Sequence, residues 1–567
     1  MLFFGNTYRA LRFFPWVVGL VTAVAYVAAM PGIDISELAW VWMLPMALWS
    51  LTRPGWKQWL LVSFVCMWAA KISVLIWLRH ISPPLGWVGL IFATGYFALY
   101  PTLWLAWLRW LFPKTLRAPL GTRLVIQLGL AGFWVLLEWV QGWLFTGCPW
   151  LLLADTQWLR PAVLSLCTFG GPWGLSFAIV LFNIGLARYA ARLLFERDRL
   201  LDAAPGPMSV LRQVCPEFYL GVAPIFLGMF FFYQNLLQLR ETSVPLFTAA
   251  AVQTDFDPNA KWDAQRLQEN TAVVRDLTLA AGKLTKEKPL FLAGQSRPEP
   301  AKGNSSPDLI LWPEAALPYD VFDPDFQGFV TRLAKETGST LLFGGISYRD
   351  LPDGKRGYDN GIYVATETGV AEEFYSKRHL VPFGEYIPFP FNKLPLRTIV
   401  PVSDANLVGE RDDPLPVPVN GGTLLAGTLV CYEDIFPAMG RDLALRGADF
   451  IAVVTNDAWY GREAGAYQHA AHCAVLAASL QLPVIRCGNN GWSGVFNPLG
   501  RGEAVTDENG SVYFRGAGRF EVIGVPAPLR KPTFYLRHGD WVVTFSALLT
   551  LWTFLRNRRW RRTRDEE

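Results

Sequence analysis

Seven stretches in the first 236 residues, 13–30, 37–51, 58–78, 86–108, 124–146, 172–190 and 218–236, are nearly free of charge. One soluble domain cannot bury so many consecutive apolar residues, and a helix needs about 20 of them to cross a bilayer. The expected architecture therefore begins with an α-helical transmembrane bundle of seven spans, joined by an eighth at 541–555. The segments 37–51 and 541–555 are short and are expected to extend through flanking Trp and polar residues. The composition, 52% hydrophobic and 17% charged, is too apolar for an ordinary soluble domain. The first stretch could be taken for a signal peptide, but Pro31-Gly32 is a poor cleavage site and further spans follow at once, so it is expected to be retained.

Basic residues in the short loops orient the bundle. With a cytoplasmic N-terminus, the inner segments carry Arg9 and Arg12; Arg53 and Lys57; Arg109, Lys114, Arg117 and Arg123; and Arg188, Arg192, Arg197, Arg199 and Arg212. The tail adds Arg556, Arg558, Arg559, Arg561, Arg562 and Arg564, whereas the outer loops hold only Arg79 and Arg160. The expected division is a bundle at 1–240, a domain outside the cytoplasm at 241–536, and a final span with a basic cytoplasmic tail at 537–567. The net charge of +4 thus reflects topology, and nothing points to nucleic acid. Lys71 and Glu138 lie inside spans, where each costs a few kcal/mol unless paired. Packing between spans and a cavity for a headgroup or substrate both remain open for them.

Within the outer domain the pattern changes to short apolar runs divided by turns. Leu246–Val252, Asp308–Trp312, Thr340–Ile346, Gly361–Ala365, Leu424–Val430, Phe450–Val454 and Val484–Arg486 read as strands. Trp262–Leu284, Asp325–Glu336, Pro437–Arg446 and Tyr467–Leu480 read as helices between them. Buried strands alternating with helices favour an α/β sandwich. Residues 285–307, crowded with Lys, Glu, Pro, Gly and Ser, read as a surface insertion. The seven cysteines are scattered without CxxC spacing, so neither a zinc site nor a disulfide framework is indicated.

Chemistry concentrates at three strand ends. Leu429-Val430-Cys431-Tyr432-Glu433-Asp434 reads as a strand ending on a thiol, followed by a turn and a helix after Pro437. Such placement should expose the sulfur and bring backbone N–H groups near a developing oxyanion. An isolated cysteine there is more often a small apolar residue closing a strand; the Tyr-Glu-Asp that follows reverses that preference. Glu314, after Trp312-Pro313, could take the thiol proton, although it could equally be a loop carboxylate. Lys377, ending the strand Glu372–Ser376, could stabilise thiolate and oxyanion, although a single lysine is usually solvated. The order Glu, Lys, Cys, each at a strand end, is stronger than any one of them.

That order and its surroundings resemble the nitrilase superfamily, whose αββα sandwich carries a Glu–Lys–Cys triad. More narrowly the chain resembles the membrane-bound apolipoprotein N-acyltransferase family of the bacterial inner membrane. The resemblance runs through Gly142-Trp143, Thr146-Gly147 and Pro149-Trp150, then Val252-Gln253, Lys261-Trp262 and Trp312-Pro313-Glu314. It continues through Lys377, His379–Glu385, Cys431-Tyr432-Glu433, Asn456–Trp459, Gln468-His469, Asn489-Asn490-Gly491 and Gly539-Asp540-Trp541. It implies Glu314 as general base, Lys377 as oxyanion stabiliser and Cys431 as nucleophile. It also implies Glu385 as a second carboxylate orienting the lysine or incoming amine, Tyr432 and Glu433 as pocket-shaping residues, and Trp262 on a mobile loop touching lipid or lipopeptide. Alternatively, Trp262 anchors in the headgroup zone and Glu385 pairs with Arg378. The chain departs from the family pattern at Gln141, usually Arg, at Cys148, usually Phe, and at Ala474, Leu476 and Ser479, where the family helix carries Arg and Glu. These departures question the ion pairing that supports that helix.

The implied reaction moves an acyl chain from a phospholipid of phosphatidylethanolamine type, through a thioester, to the α-amine of a diacylglyceryl-cysteine at a lipoprotein N-terminus. No metal or soluble cofactor is expected. A membrane-tethered amidase or lipid hydrolase with the same triad, and an inactive binding module, are the alternatives.

Overall fold

In a computed structural model of the chain, residues 14–81, 84–195, 214–284, 306–352, 354–393 and 405–565 are described. Arg9, Arg12, Arg197, Arg199, Arg212 and nearly all of the 285–307 insertion lie outside them, as do the side chains of the arginines beyond 557. The chain forms two compact units, Met1–Phe231 with Asp540–Glu567, and Phe232–Gly539.

The first unit is helical. Its helices are α1 (Pro15–Ala29), α2 (Leu44–Ser50), α3 (Trp56–Val74), α4 (Leu85–Leu111), α5 (Leu120–Gln141) and α6 (Cys167–Phe195). The chain then runs through α7 (Pro216–Thr242), and α12 (Trp541–Asp565) returns to this unit. Among the described residues, four helical stretches are long and apolar enough to cross a membrane: Leu85–Leu116, Leu120–Gln141, Cys167–Phe195 and Pro216–Thr242. The 37–51 stretch is not one helix. It breaks into a 3₁₀ turn, Ser36–Trp40, and the seven-residue α2, which rises only about 10 Å. Apolar composition does not ensure continuity, and Pro45 starts a new helix where the turn ends. Gly19 nevertheless packs against Val62 and Cys66 while Tyr26 meets Lys71, so α1 and α3 run parallel and the broken chain between them travels back along the bundle.

Lys71 and Glu138 are both buried and both have hydrogen-bond partners. Lys71 Nζ donates to the Tyr26 hydroxyl at 2.6 Å, and Glu138 accepts the Leu153 backbone N–H at 2.8 Å. Gln141, in the place usually held by Arg, ties down the following turn through the carbonyls of Cys148 (2.8 Å) and Trp150 (3.3 Å). Small residues let α12 approach α5 closely, since a Cβ on Gly129 would stand 2.1 Å from Thr553 Oγ1.

The second unit contains two sheets. One has the order β13-β1-β2-β3-β4-β5, with β6 also pairing β4; the other has the order β12-β11-β10-β9-β8-β7. The strands β1 (Val244–Gln253), β2 (Leu309–Trp312) and β3 (Thr340–Asp350) are parallel, and β4 (Arg356–Thr366) is antiparallel to them. The pattern repeats in β8 (Gly422–Val430), β9 (Phe450–Thr455) and β10 (Val484–Gly488), closed by antiparallel β11 (Gly494–Phe496). Leu309, Leu311 and Leu342 of one sheet share a core with Val430, Ala452 and Ile485 of the other. Helices α8 (Leu267–Ala281) and α9 (Pro324–Thr337) cover the outer face of the first sheet through Val274, Val330 and Leu333. Helices α10 (Pro437–Leu445) and α11 (Gly465–Leu480) contact the second sheet, completing an αββα sandwich. With helices on one face and a sheet on the other, β2, β9 and β10 are buried at every position instead of alternating. The helix expected from Trp262 starts only at Leu267, because two 3₁₀ turns, the second capped by Asp263, precede it.

Candidate active site

Glu314, Lys377 and Cys431 leave the sheets where β2, β6 (Tyr375–Ser376) and β8 stop. Local backbone dictates each exit. A Cβ on Gly344 would stand 2.3 Å from the Pro313 carbonyl, so a bare glycine on β3 lets the Glu314 turn pass. Gly409 plays the same part behind Lys377: its Cβ would stand 2.1 Å from the Ser376 carbonyl, and its N–H donates to the Lys377 carbonyl at 2.8 Å. Cys431 has φ +52°, a left-handed conformation that costs a residue with a Cβ about 1–2 kcal/mol and persists only where the surroundings enforce it.

The Lys377 ammonium lies 2.8 Å from Glu385 Oε1 and 3.5 Å from Glu314 Oε1. Burial alone would depress its pKa, but Glu385 and Glu314 outweigh that and hold it above the usual lysine range. The alternative pairing of Glu385 with Arg378 is therefore corrected; the nearer cation is Lys377, and Glu385 Oε2 accepts the Val381 N–H at 2.8 Å. Glu314 is only 8% exposed, and Oε1 accepts from Asn360 Nδ2 at 2.8 Å. Lys261 Nζ donates to the Glu314 carbonyl at 3.2 Å; burial brings its pKa down to about 8 against the opposing pull of the Glu314 charge.

The sulfur is less accessible than its strand-end position suggests, because Cys431 is 7% exposed. Burial pushes the thiol well above its ordinary pKa, the Glu314 charge adds to that, and Lys377 pulls back. At rest the group is a thiol, so attack requires a base at the moment of reaction. Glu433 is fully buried. It accepts from the backbone N–H groups of Val430 (2.8 Å), Arg378 (2.7 Å) and His379 (3.0 Å) and from the Tyr375 hydroxyl (2.9 Å), so it ties the Cys431 turn to the Lys377 strand instead of facing a substrate. Tyr432 is buried with its ring against Phe436 and His379. Trp262 is 49% exposed on its loop, with Lys261 Nζ 5.7 Å from the ring centre.

Two features were missed in the sequence. Asn360 holds Glu314; the signal was Asp359-Asn360-Gly361, residues ill suited to a strand interior. The other is a sealed charge cluster behind Cys431. Arg486 on β10 pairs with Asp434 and, at 3.0 Å, with Asp457, while His469 on α11 contacts both aspartates. The ion contacts that reach α11 run through His469, while at the departures Leu476 packs against Gly440 and Ser479 Oγ donates to the Val475 carbonyl at 2.6 Å.

Residues 248–521 match the carbon-nitrogen hydrolase family, and residues 22–185 match the apolipoprotein N-acyltransferase N-terminal domain. An apolipoprotein N-acyltransferase of Geobacter metallireducens is 28% identical over 543 residues, covering 93% of this chain and 92% of its own. One of Azotobacter vinelandii is 31% identical, covering 83% of this chain and 80% of its own. Among solved structures, an amidase from Nesterenkonia sp. is 18% identical with a TM-score of 0.31, covering 51% of this chain and 92% of that one. With both domain types present in one chain and a relative above 30% identity matched over most of its length, this chain belongs to the apolipoprotein N-acyltransferase family.

Proposed function

We propose that the protein is a membrane acyltransferase that carries a fatty acyl chain from a phospholipid to the N-terminal amine of a diacylglyceryl-cysteine lipoprotein, through a thioester on Cys431. The observation that carries this reading is the Lys377 ammonium between two carboxylates, bearing on a buried thiol that only a base can activate. Glu314 takes the Sγ proton as sulfur attacks the ester carbonyl. The oxyanion forms beside Lys377 and the backbone N–H groups of the Cys431 turn. When the C–O bond breaks, Glu314 returns the proton to the glycerol oxygen and lysophospholipid leaves. The α-amine then attacks the thioester; Glu314 takes its proton and returns it to sulfur as the C–S bond breaks, leaving an amide. Glu385 orients Lys377, Tyr432 and Glu433 support the pocket wall, and Trp262 meets the lipid or lipopeptide.

The donor is of phosphatidylethanolamine type. The chain resides in the bacterial inner membrane with residues 241–536 on the periplasmic side, flanked by the bundle at 1–240 and the span and tail at 537–567. Eight crossings follow if α1, α3, α12 and the broken 36–50 segment join the four longer helices; the parallel run of α1 and α3 supports the return between them. The test is incubation of purified full-length protein with acyl-labelled phosphatidylethanolamine vesicles and an acceptor lipopeptide. A hydroxylamine-sensitive adduct on Cys431 and N-acylated peptide are expected. An adduct that survives in Cys431→Ala, or free fatty acid as the sole product, would overturn the reading.

A further inference from the structure

His469 sits on α11 with both ring nitrogens facing acceptors. Nδ1 is 2.8 Å from Asp457 Oδ1; Nε2 is 2.7 Å from Asp434 Oδ1 and 3.3 Å from the carbonyl oxygen of Cys431. Neither a carboxylate nor a carbonyl oxygen can donate, and a lone-pair contact at such distances would be repulsive, so both nitrogens carry protons. We infer that His469 is a positioning residue, a fixed imidazolium whose Nε2–H holds the Cys431 carbonyl and with it the left-handed turn that presents the sulfur. The inference rests on Cys431 being the nucleophile.

The surroundings fit a permanent charge. Asp434 and Asp457 face the ring from the two turns that follow β8 and β9, and Arg486 faces them from β10, so two carboxylates balance two cations with no side-chain exposure. His472 and Cys473 approach from α11 itself and Tyr460 from the 457–460 turn; burial keeps all three uncharged, His472 at a pKa of about 3. Burial and Arg486 disfavour charge on His469, yet the two aspartates outweigh them and raise its pKa. The cluster also reaches the base. Thr455 Oγ1 donates to Asp457 at 2.9 Å, and the Thr455 carbonyl accepts the Glu314 N–H at 3.4 Å. The ring therefore braces the backbone that carries the sulfur and, through Thr455, the turn that carries the carboxylate.

Asparagine places its amide nitrogen near the Nδ1 position and glutamine near Nε2, so the two substitutions separate the Asp457 contact from the Cys431 contact. In full-length protein in phosphatidylethanolamine vesicles, His469→Asn should slow thioester formation roughly tenfold to a hundredfold at little changed KM. His469→Gln should stay within about fivefold of wild type, with both variants melting near each other. Equal losses in the two, or a wild-type rate in His469→Asn, would overturn the inference. Nitrogen-15 NMR of histidine-labelled wild-type protein is independent of variant folding: one imidazole should keep both ring protons at pH 8, and finding none would overturn the charge. If wild-type protein forms no thioester, the nucleophile reading fails, while the NMR result still reports on His469.

Discussion

The catalytic unit holds two clusters of buried charge that differ in access. Around Lys377, one ammonium meets two carboxylates, Glu385 at 2.8 Å and Glu314 at 3.5 Å, both partly exposed, and Lys261 reaches the Glu314 carbonyl. Behind Cys431, Asp434 and Asp457 face Arg486 and the His469 imidazolium, two against two, with no exposure. A cluster whose carboxylates keep some exposure can exchange protons with its surroundings. A balanced and sealed cluster has nothing to exchange and acts as a brace. Solvent access, more than the presence of buried ions, separates the two clusters.

The distinction breaks most visibly by removing one cation from each cluster. Arg486→Met should destabilise the protein by about 3–5 kcal/mol, because it leaves buried aspartates uncompensated. Lys377→Met should lose less stability than Arg486→Met, because Glu314 and Glu385 keep some exposure, yet lose roughly 10²–10³-fold in acyl transfer. Thermal unfolding in detergent and an acyl-transfer assay together check the pair; equal melting losses would erase the contrast. Acid probes the sealed cluster. Burial opposes charge on Asp434, but His469 and Arg486 hold its pKa at about 2. A depressed carboxylate stabilises the fold above its unfolded pKa, so on the order of 2 kcal/mol should be lost as pH falls from about 4 to about 2. Unfolding measured across that window should show a steeper slope in wild type than in Asp434→Asn, where the depressed Asp457 remains.

Smaller changes sharpen the open cluster. Glu385→Gln leaves one carboxylate per ammonium and should slow turnover about tenfold, read as kcat with acyl-labelled lipid. Asn360→Ala frees Glu314 of one hydrogen bond worth about 1 kcal/mol, so a few-fold loss in kcat with unchanged melting is expected.

Legibility in the sequence followed the range of the interactions. The sandwich and the three strand ends could be read because strand, turn and reactive side chain are neighbours in the chain, as in Trp312-Pro313-Glu314 and Val430-Cys431-Tyr432. The brace could not be read: His469 lies 38 residues from the Cys431 carbonyl it contacts, and Arg486 lies 52 from Asp434. Asn360 stands 46 residues beyond the carboxylate it holds. Burial of the sulfur was likewise invisible, because it depends on what packs over the turn and not on the turn itself. In the helical unit, hydropathy revealed the apolar run at 37–51 but carried no information on where Pro45 would restart the helix.

Glu433 joins Val430, from the sheet that bears the sulfur, to Arg378 and His379, from the segment that bears the ammonium. One carboxylate thus fastens the two sheets together at the depth where attack must occur. A change in the gap between the sheets would have to break these hydrogen bonds before the thiol and the ammonium could move apart.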